Sequence, residues 1–246
     1  MEAITAIESL AKRKNDIIFT TSFGYMDPTL LVAEKYPNIN FLHCSGYKTS
    51  DNMSAYFGRI YQARFLSGLV AGMMTKSNKI GYVAAHPIPE VVRGINAFAL
   101  GVKMVNPNAK VHVIWTNTWY DPAVEKEAAL NLLDLNCDII TQHQDTPAPQ
   151  QAAQERGAYS IGYNTDMSAF APKAFLTAPV WNWGVYYQSV INRVQDKTFK
   201  AENFWGGMKD GIVDLAPMSD LVPENVKTIV NVFKQAIIDE MFEPFQ

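Results

Sequence analysis

The 246-residue chain lacks any apolar run long enough to cross a bilayer. Its most apolar stretch, 65–74, is about half of the roughly 18–20 residues a spanning helix needs. It is also poor in cysteine: Cys44 and Cys137 each border a strand-like run and read as two buried free thiols. No lysine–arginine stripe occurs. Its 21 basic and 24 acidic residues leave a net charge of −3, which argues against nucleic acid as the main partner. Catalytic templates are missing in turn. No Gly-x-Ser-x-Gly elbow, no phosphate-binding G-x-x-x-x-G-K-[ST] loop and no G-x-G-x-x-G fingerprint is present. The four histidines (His43, His86, His112 and His143) lack metal-ligand spacing with one another or with cysteine, so neither metal nor cofactor is expected. The opening MEAITAIESLAKRKNDII has no charged segment followed by an apolar one and no lipobox-like cysteine, so no export address is read there.

What remains is ordinary globular composition, 48% hydrophobic and 18% charged, in a chain long enough for one large domain or two lobes. Four short apolar runs each end in a loop carrying an aromatic or amide residue and an acid: 16–28, 111–122, 137–147 and 158–167. Each is followed by a helix-like stretch, the pattern of a parallel α/β sheet. In such sheets the loops after the strands line the ligand crevice.

The spacing predicts a helix over 2–13 and a strand over 17–20. Asp27-Pro28 would cap a helix over 29–35. A strand over 40–44 and one long helix over 52–75 follow, the latter with a core-facing aromatic stripe. The polar break 76–79 marks a lobe boundary. Strands at 80–85, 110–116, 138–141 and 158–162 then alternate with helices at 89–105, 122–135 and 148–156, a right-handed doubly wound order. A strand at 176–180, a helix at 186–194, an edge strand at 211–216 and a helix from 224 to about 240 complete the chain. Domain limits are therefore expected at 1–76, 77–176 and 177–246, the last segment shared between two lobes. Phe23–Pro28 and Asn117–Pro122 are similar loops, a hint of two lobes of like construction.

The loops offer flat rings and amides. Phe23, Tyr25, Trp119, Tyr163, Trp181 and Trp183 fall at or just after strand ends. Such rings stack on planar ligands with little conformational entropy to lose. Asn117, Asn164 and Asn182 lie close by to satisfy a polar ring edge. His143 is the histidine placed at a ligand, while His43 and His112 read as structural. Asp166 could accept from a ligand hydroxyl or ring N–H, or cap a following turn. Lys209 and Asp210 could form an ion pair at a hinge.

These segments resemble the basic membrane protein family of extracytoplasmic solute-binding proteins, which includes purine nucleoside receptors of ABC transporters. The resemblance is carried by 21–28 (TSFGYMDP), 79–83 (KIGYV), 89–98 (PEVVRGINAF), 158–166 and 206–211 (GGMKDG). It implies an α/β, two-lobe type I periplasmic-binding-protein fold with doubly wound parallel sheets. It also implies an ABC permease as partner and a periplasmic or cell-surface location. Family members begin with a leader and a first strand that this sequence does not show, so the resemblance implies an N-terminally truncated member. By position, Phe23, Gly24 and Tyr25 match the first lobe's ligand loop, and Asp166 the acid that holds a nucleoside's sugar hydroxyls. Gln142 and His143 stand where nucleoside receptors place an aromatic, and Trp119, Trp181 and Trp183 point to a branch taking a free base such as adenine. The expected function is binding of a purine base or nucleoside in the cleft between two lobes. A non-binding or cytoplasmic sensor relative, or a nucleoside-processing enzyme, is the alternative.

Overall fold

A computed structural model of the chain describes residues 2–245. It opens with α1 (Glu2–Lys12), β1 (Ile17–Thr20), α2 (Met26–Ala33), β2 (Asn40–Cys44), β3 (Met53–Gly58) and α3 (Ile60–Met74). Next come β4 (Lys79–Ala84), α4 (Pro89–Val105), β5 (Lys110–Trp115), α5 (Pro122–Asp134), β6 (Ile139–His143) and α6 (Ala148–Glu155). The chain continues with β7 (Tyr159–Ile161), β8 (Phe175–Thr177), β9 (Pro179–Trp181) and α7 (Trp183–Gln195). It closes with β10 (Asn203–Gly206), β11 (Val213–Leu215) and α8 (Glu224–Ile238).

The chain divides into two compact units. The first holds the residues through Arg59 together with Trp183–Gly206; the second holds Ile60–Asn182 and the residues from Gly207 on. The first boundary therefore falls at 59–60, before α3, rather than at the polar break 76–79. The reason is packing: α3 lies along α4, an element of the second unit.

In the first unit four parallel strands run in the order β1-β2-β3-β10. Side chains alternate across a strand. Ile18, Phe41 and Met53 accordingly join Ile7 and Ala11 of α1 and Val32 and Ala33 of α2 in one apolar cluster. Phe19 and Tyr56 meet Tyr187 of α7 instead, with ring centroids 4.5 and 5.9 Å away. The expected single helix over 52–75 is corrected here. Its first part, Met53–Gly58, is β3, buried at every position and paired between β2 and β10, and only from Ile60 does the chain turn helical. Both halves are apolar almost throughout, so periodicity could not separate a buried strand from a buried helix. β10 had no sequence signal of its own. Asp27-Pro28 also differs from expectation. α2 begins at Met26, and Asp27 pairs with Lys48 at 2.8 Å instead of capping.

The second unit is a five-stranded parallel sheet, β5-β4-β6-β7-β8, with β9 and β11 as a separate antiparallel pair. Val83 and Ile140 face α5 and α6, sharing a cluster with Leu132 and Ala152. The alternate residues of β4 and β6 face the other way, toward α3 and α4. From Gln62 to Gly72, α3 is buried at every residue. Two glycines let it touch α4: a Cβ at Gly68 would lie 2.2 Å from the Phe98 carbonyl oxygen, and one at Gly101 2.1 Å from that of Phe65. Lys209 does not pair with Asp210. It bonds Glu240 at 2.6 Å, and Asp210 accepts from the Gly207 N–H at 2.7 Å.

Gly101→Ala tests that contact. A helix interior favours alanine by about 1 kcal/mol, but overpacking against main chain costs about 1–3 kcal/mol. Urea unfolding should show a lower midpoint for the variant; an equal or higher midpoint would mean that α3 and α4 are not held this close.

Candidate functional site

The second unit's first strand, β4, lies inside its sheet. The chain leaves β4 for β5 on one side and returns to β6 on the other, so the strand order reverses between β4 and β6. In open α/β sheets ligands bind beyond the carboxyl ends of the strands at such a reversal. Here β4 and β6 pair from Ile80 beside Ile139 to Ala84 beside His143. His143 thus closes the ladder at the carboxyl end of the sheet.

His143 is almost wholly buried, and its Nε2 lies 3.5 Å from a carboxylate oxygen of Glu90. Glu90 follows Pro89 in the first turn of α4, where the helix dipole favours an acid. Burial lowers the His143 pKa first, Glu90 opposes this, and Arg64 adds to it. The imidazole is therefore neutral at neutral pH, and its Nδ1 is buried without a hydrogen-bond partner among the described residues. The Tyr163 ring lies tilted against the His143 ring, centroids 4.3 Å apart, and Trp119 stands 6.3 Å from it and 5.0 Å from His86. Of the rings on His143, Tyr163 is buried while Trp119 is only partly covered.

The loops beneath these rings are tied by polar groups. Asp121 caps α5 through the N–H groups of Ala123 and Val124, as its Asp-Pro pair implies. Glu125, fully buried, accepts from the Asp121 N–H at 3.0 Å and the Thr146 hydroxyl at 2.5 Å, joining the β5–α5 and β6–α6 loops. Burial raises the Glu125 pKa against these bonds. Asn117 and Asn164 both take positive φ, 56° and 69°, a conformation asparagine tolerates better than most residues. The Asn117 N–H bonds the Ala85 carbonyl, and the Asn164 amide donates to Asp145 at 2.9 Å. Burial raises the Asp145 pKa, Asn164 lowers it and Glu90 raises it.

The structure therefore gathers Trp119, His143 and Tyr163, with Asn117 and Asn164 in the adjoining loops. Gln142 points the other way along β6. Its amide donates to the carbonyls of Gln144 and Thr146, so it shapes the loop from inside. Trp181, in β9, donates its backbone N–H to the Asn164 carbonyl and makes a side-chain bond with Tyr163. Asp166 is exposed and accepts from the Ser168 N–H at 2.9 Å, the turn-capping role foreseen as its rival.

The remaining candidates belong to the first unit. Phe23, Gly24 and Tyr25 form a short 3-10 turn just after β1, preceded by Ser22 at φ 85°. Tyr25 is 45% exposed. Trp183 begins α7, its ring 5.1 Å from Tyr56, so the Trp181–Trp183 segment divides between the units. Sequence reasoning passed over Arg64 and Glu90. The signals were present: Arg64 is the sole charge in α3, and Glu90 follows the proline that starts α4.

A family model described as "ABC transporter substrate-binding protein PnrA-like" matches residues 1–244. The chain belongs to this family, Bmp. It is 46% identical over 244 residues to a purine-binding protein of Brucella abortus, covering 99% of this chain and 69% of that one. It is 44% identical over 233 residues to a Haloferax volcanii protein named for glucose binding in an ABC transporter, covering 95% and 60%. Solved structures share the fold. A transcriptional activator from Bacillus halodurans aligns with a TM-score of 0.87 at 22% identity, covering 98% of this chain and 85% of that one. A solute-binding protein from Aeropyrum pernix aligns at 0.84 and 18%, covering 98% and 80%. The fold is that of type I periplasmic solute-binding proteins, α/β with parallel sheets. Among the described residues no helix is long and apolar enough to cross a membrane, and no cluster of metal-ligating side chains occurs.

In the first unit His43 is fully buried, its Nδ1 3.0 Å from the Thr20 hydroxyl, which in turn meets Thr29 at 2.9 Å. Burial lowers its pKa from 6.5 to about 4. The unfolded chain therefore binds more protons between these values. The stability His43 contributes is complete above about 6.5 and is lost as pH falls through about 4. The gap corresponds to roughly 3 kcal/mol. Unfolding free energies of wild type and His43→Gln, measured from pH 7 to 4, should converge as pH falls; a constant difference would show that His43 does not carry the acid sensitivity.

Proposed function

We propose that this protein is the solute-binding component of an ABC uptake transporter and binds a purine base or nucleoside without turning it over. The observation that carries this reading is the Trp119–His143–Tyr163 group at the strand-order reversal of the second unit. The partly covered indole of Trp119 provides a flat face for a planar heterocycle, with the buried His143 and Tyr163 rings next to it. The Asn117 and Asn164 loops supply amides for its edge. Membership of Bmp and the 46% identity to a protein named for purine binding support the same ligand class. The family supports a permease as partner and a site of action outside the cytoplasmic membrane. Asp166 is proposed to hold a ribose hydroxyl, with Trp181 and Gln142 backing the ring group. Phe23, Gly24, Tyr25 and Trp183 are proposed ligand residues of the first unit.

The relative named for glucose binding, at 44% identity, favours a sugar as the second reading. Calorimetric titration of the 246-residue chain with adenine, adenosine, guanosine, inosine and glucose separates the two. Purine binding at micromolar or tighter affinity, with glucose silent, is expected. Glucose binding with the purines silent would replace the proposal by the sugar reading, and silence from all five would overturn both.

Trp119→Ala should cost about 1–3 kcal/mol of purine binding, the range for stacking on an aromatic platform. Undiminished affinity in a folded variant would remove Trp119 from the site. Asp166→Ala should weaken nucleosides more than free bases, and equal losses would contradict a ribose contact.

A further inference from the structure

Arg64 is the sole charged residue of α3, and none of its surface is exposed. One guanidinium nitrogen donates to the Gln142 carbonyl at 2.8 Å. The guanidinium carbon lies 4.0 Å from the centre of the Tyr163 ring and 5.5 Å from that of Tyr82. Its Nε and second terminal nitrogen have no hydrogen-bond partner among the described residues. Burying a guanidinium without a bonded carboxylate costs several kcal/mol. A methionine or leucine would fill the same space in this apolar helix at no such cost.

The cost falls at one place. β7 pairs with β6 only as far as Thr141, opposite Ile161. One residue later Arg64 takes the Gln142 carbonyl, and the next residue is His143. Tyr163, just past the end of β7, touches both the guanidinium and the His143 ring.

We propose that Arg64 is a positioning residue for the ligand-facing end of the second unit's sheet. From inside α3 it holds the Gln142 carbonyl and the Tyr163 ring, and so fixes the placement of His143. The inference rests on the reading of the His143 group as the ligand site.

Two effects follow from the geometry. The planar fork bonds a carbonyl while lying against an aromatic face, which an ammonium group does poorly. The fixed positive charge opposes a second one on His143. The groups around that imidazole are Glu90 of α4, Arg64 of α3, Tyr163 after β7 and Trp119 of the β5–α5 loop, with Tyr82 of β4 against Arg64 and Asp145 two residues on. Of these Glu90 favours the imidazolium, while burial and Arg64 disfavour it. Removing Arg64 leaves Glu90 to act with less opposition.

The test uses Arg64→Met and Arg64→Lys in the full chain, with thermal melts to establish folding. The His143 imidazole is titrated by NMR, and adenine affinity is measured from pH 5 to 8. In the wild type His143 should titrate below the ordinary histidine range. In Arg64→Met its midpoint should rise, the acid limit of adenine binding should move to higher pH, and affinity at pH 7 should fall about tenfold, as for loss of a charged hydrogen bond. Arg64→Lys should keep the wild-type His143 midpoint while also losing affinity. A folded Arg64→Met with unchanged midpoint and affinity would overturn the proposal. If Arg64→Met does not fold, wild-type affinity in Arg64→Lys overturns it. The imidazole titration needs no ligand, so failure of the purine reading and failure of the Arg64 role are read separately.

Discussion

Parallel pairing of β4 with β6 is the contact on which the second unit's ligand-facing end depends. β4 comes first in that unit, and the chain leaves it on one side for β5 and on the other for β6. The crossover helices must then diverge, and the carboxyl ends of the two strands are left open between them. Everything placed there follows from register. A shift of one residue would turn His143 toward α5 and α6 and Gln142 toward Glu90, since successive side chains point to opposite faces. The apolar residues of the same strands hold that register: Val83 and Ile140 can be buried against α5 and α6 only in the observed phase.

The helices on the opposite face impose the second constraint. α3 and α4 approach until main chain nearly meets main chain at Gly68 and Gly101. Near that contact Glu90 on α4 reaches the His143 imidazole, and Arg64 on α3 bonds the carbonyl of the residue before it. The polar groups gathered there are incompletely bonded: Tyr82, Thr141, Gln142, His143 and Arg64 each keep a buried polar atom without a partner among the described residues. Protein interiors generally satisfy such groups, and a concentration of exceptions around one strand end marks a place where packing yields to another demand. The first unit contains a smaller instance, His43 with the Thr20 and Thr29 hydroxyls. There a Cβ on Gly46 would lie 2.3 Å from the imidazole ring, so only glycine lets the loop lie over it.

The alternating strands and helices from β4 to β7 were legible because each strand is a short apolar run bounded by polar turns and each helix shows its own stripe. Asp121 was legible as a cap because the Asp-Pro pair has a local physical meaning. The same dipeptide at Asp27 misled, because Lys48, distant in sequence, draws that carboxylate away. β3 was hidden because a strand covered on both sides and a helix buried on most sides share the same unbroken apolar signal. Trp181 and Trp183 looked like one cluster, yet a change of unit separates them.

The sequence by itself determined the class of this protein: an α/β chain whose loops carry rings and amides, with motifs that match the Bmp family from end to end. Those properties are local, written in periodicity and in short runs of residues. Only the tertiary structure decided which rings stand together, that Gln142 faces inward while His143 meets Glu90, and that a lone arginine in an apolar helix reaches the end of β6. Strand order and helix approach are set by contacts between residues far apart in the chain, and no local pattern records them.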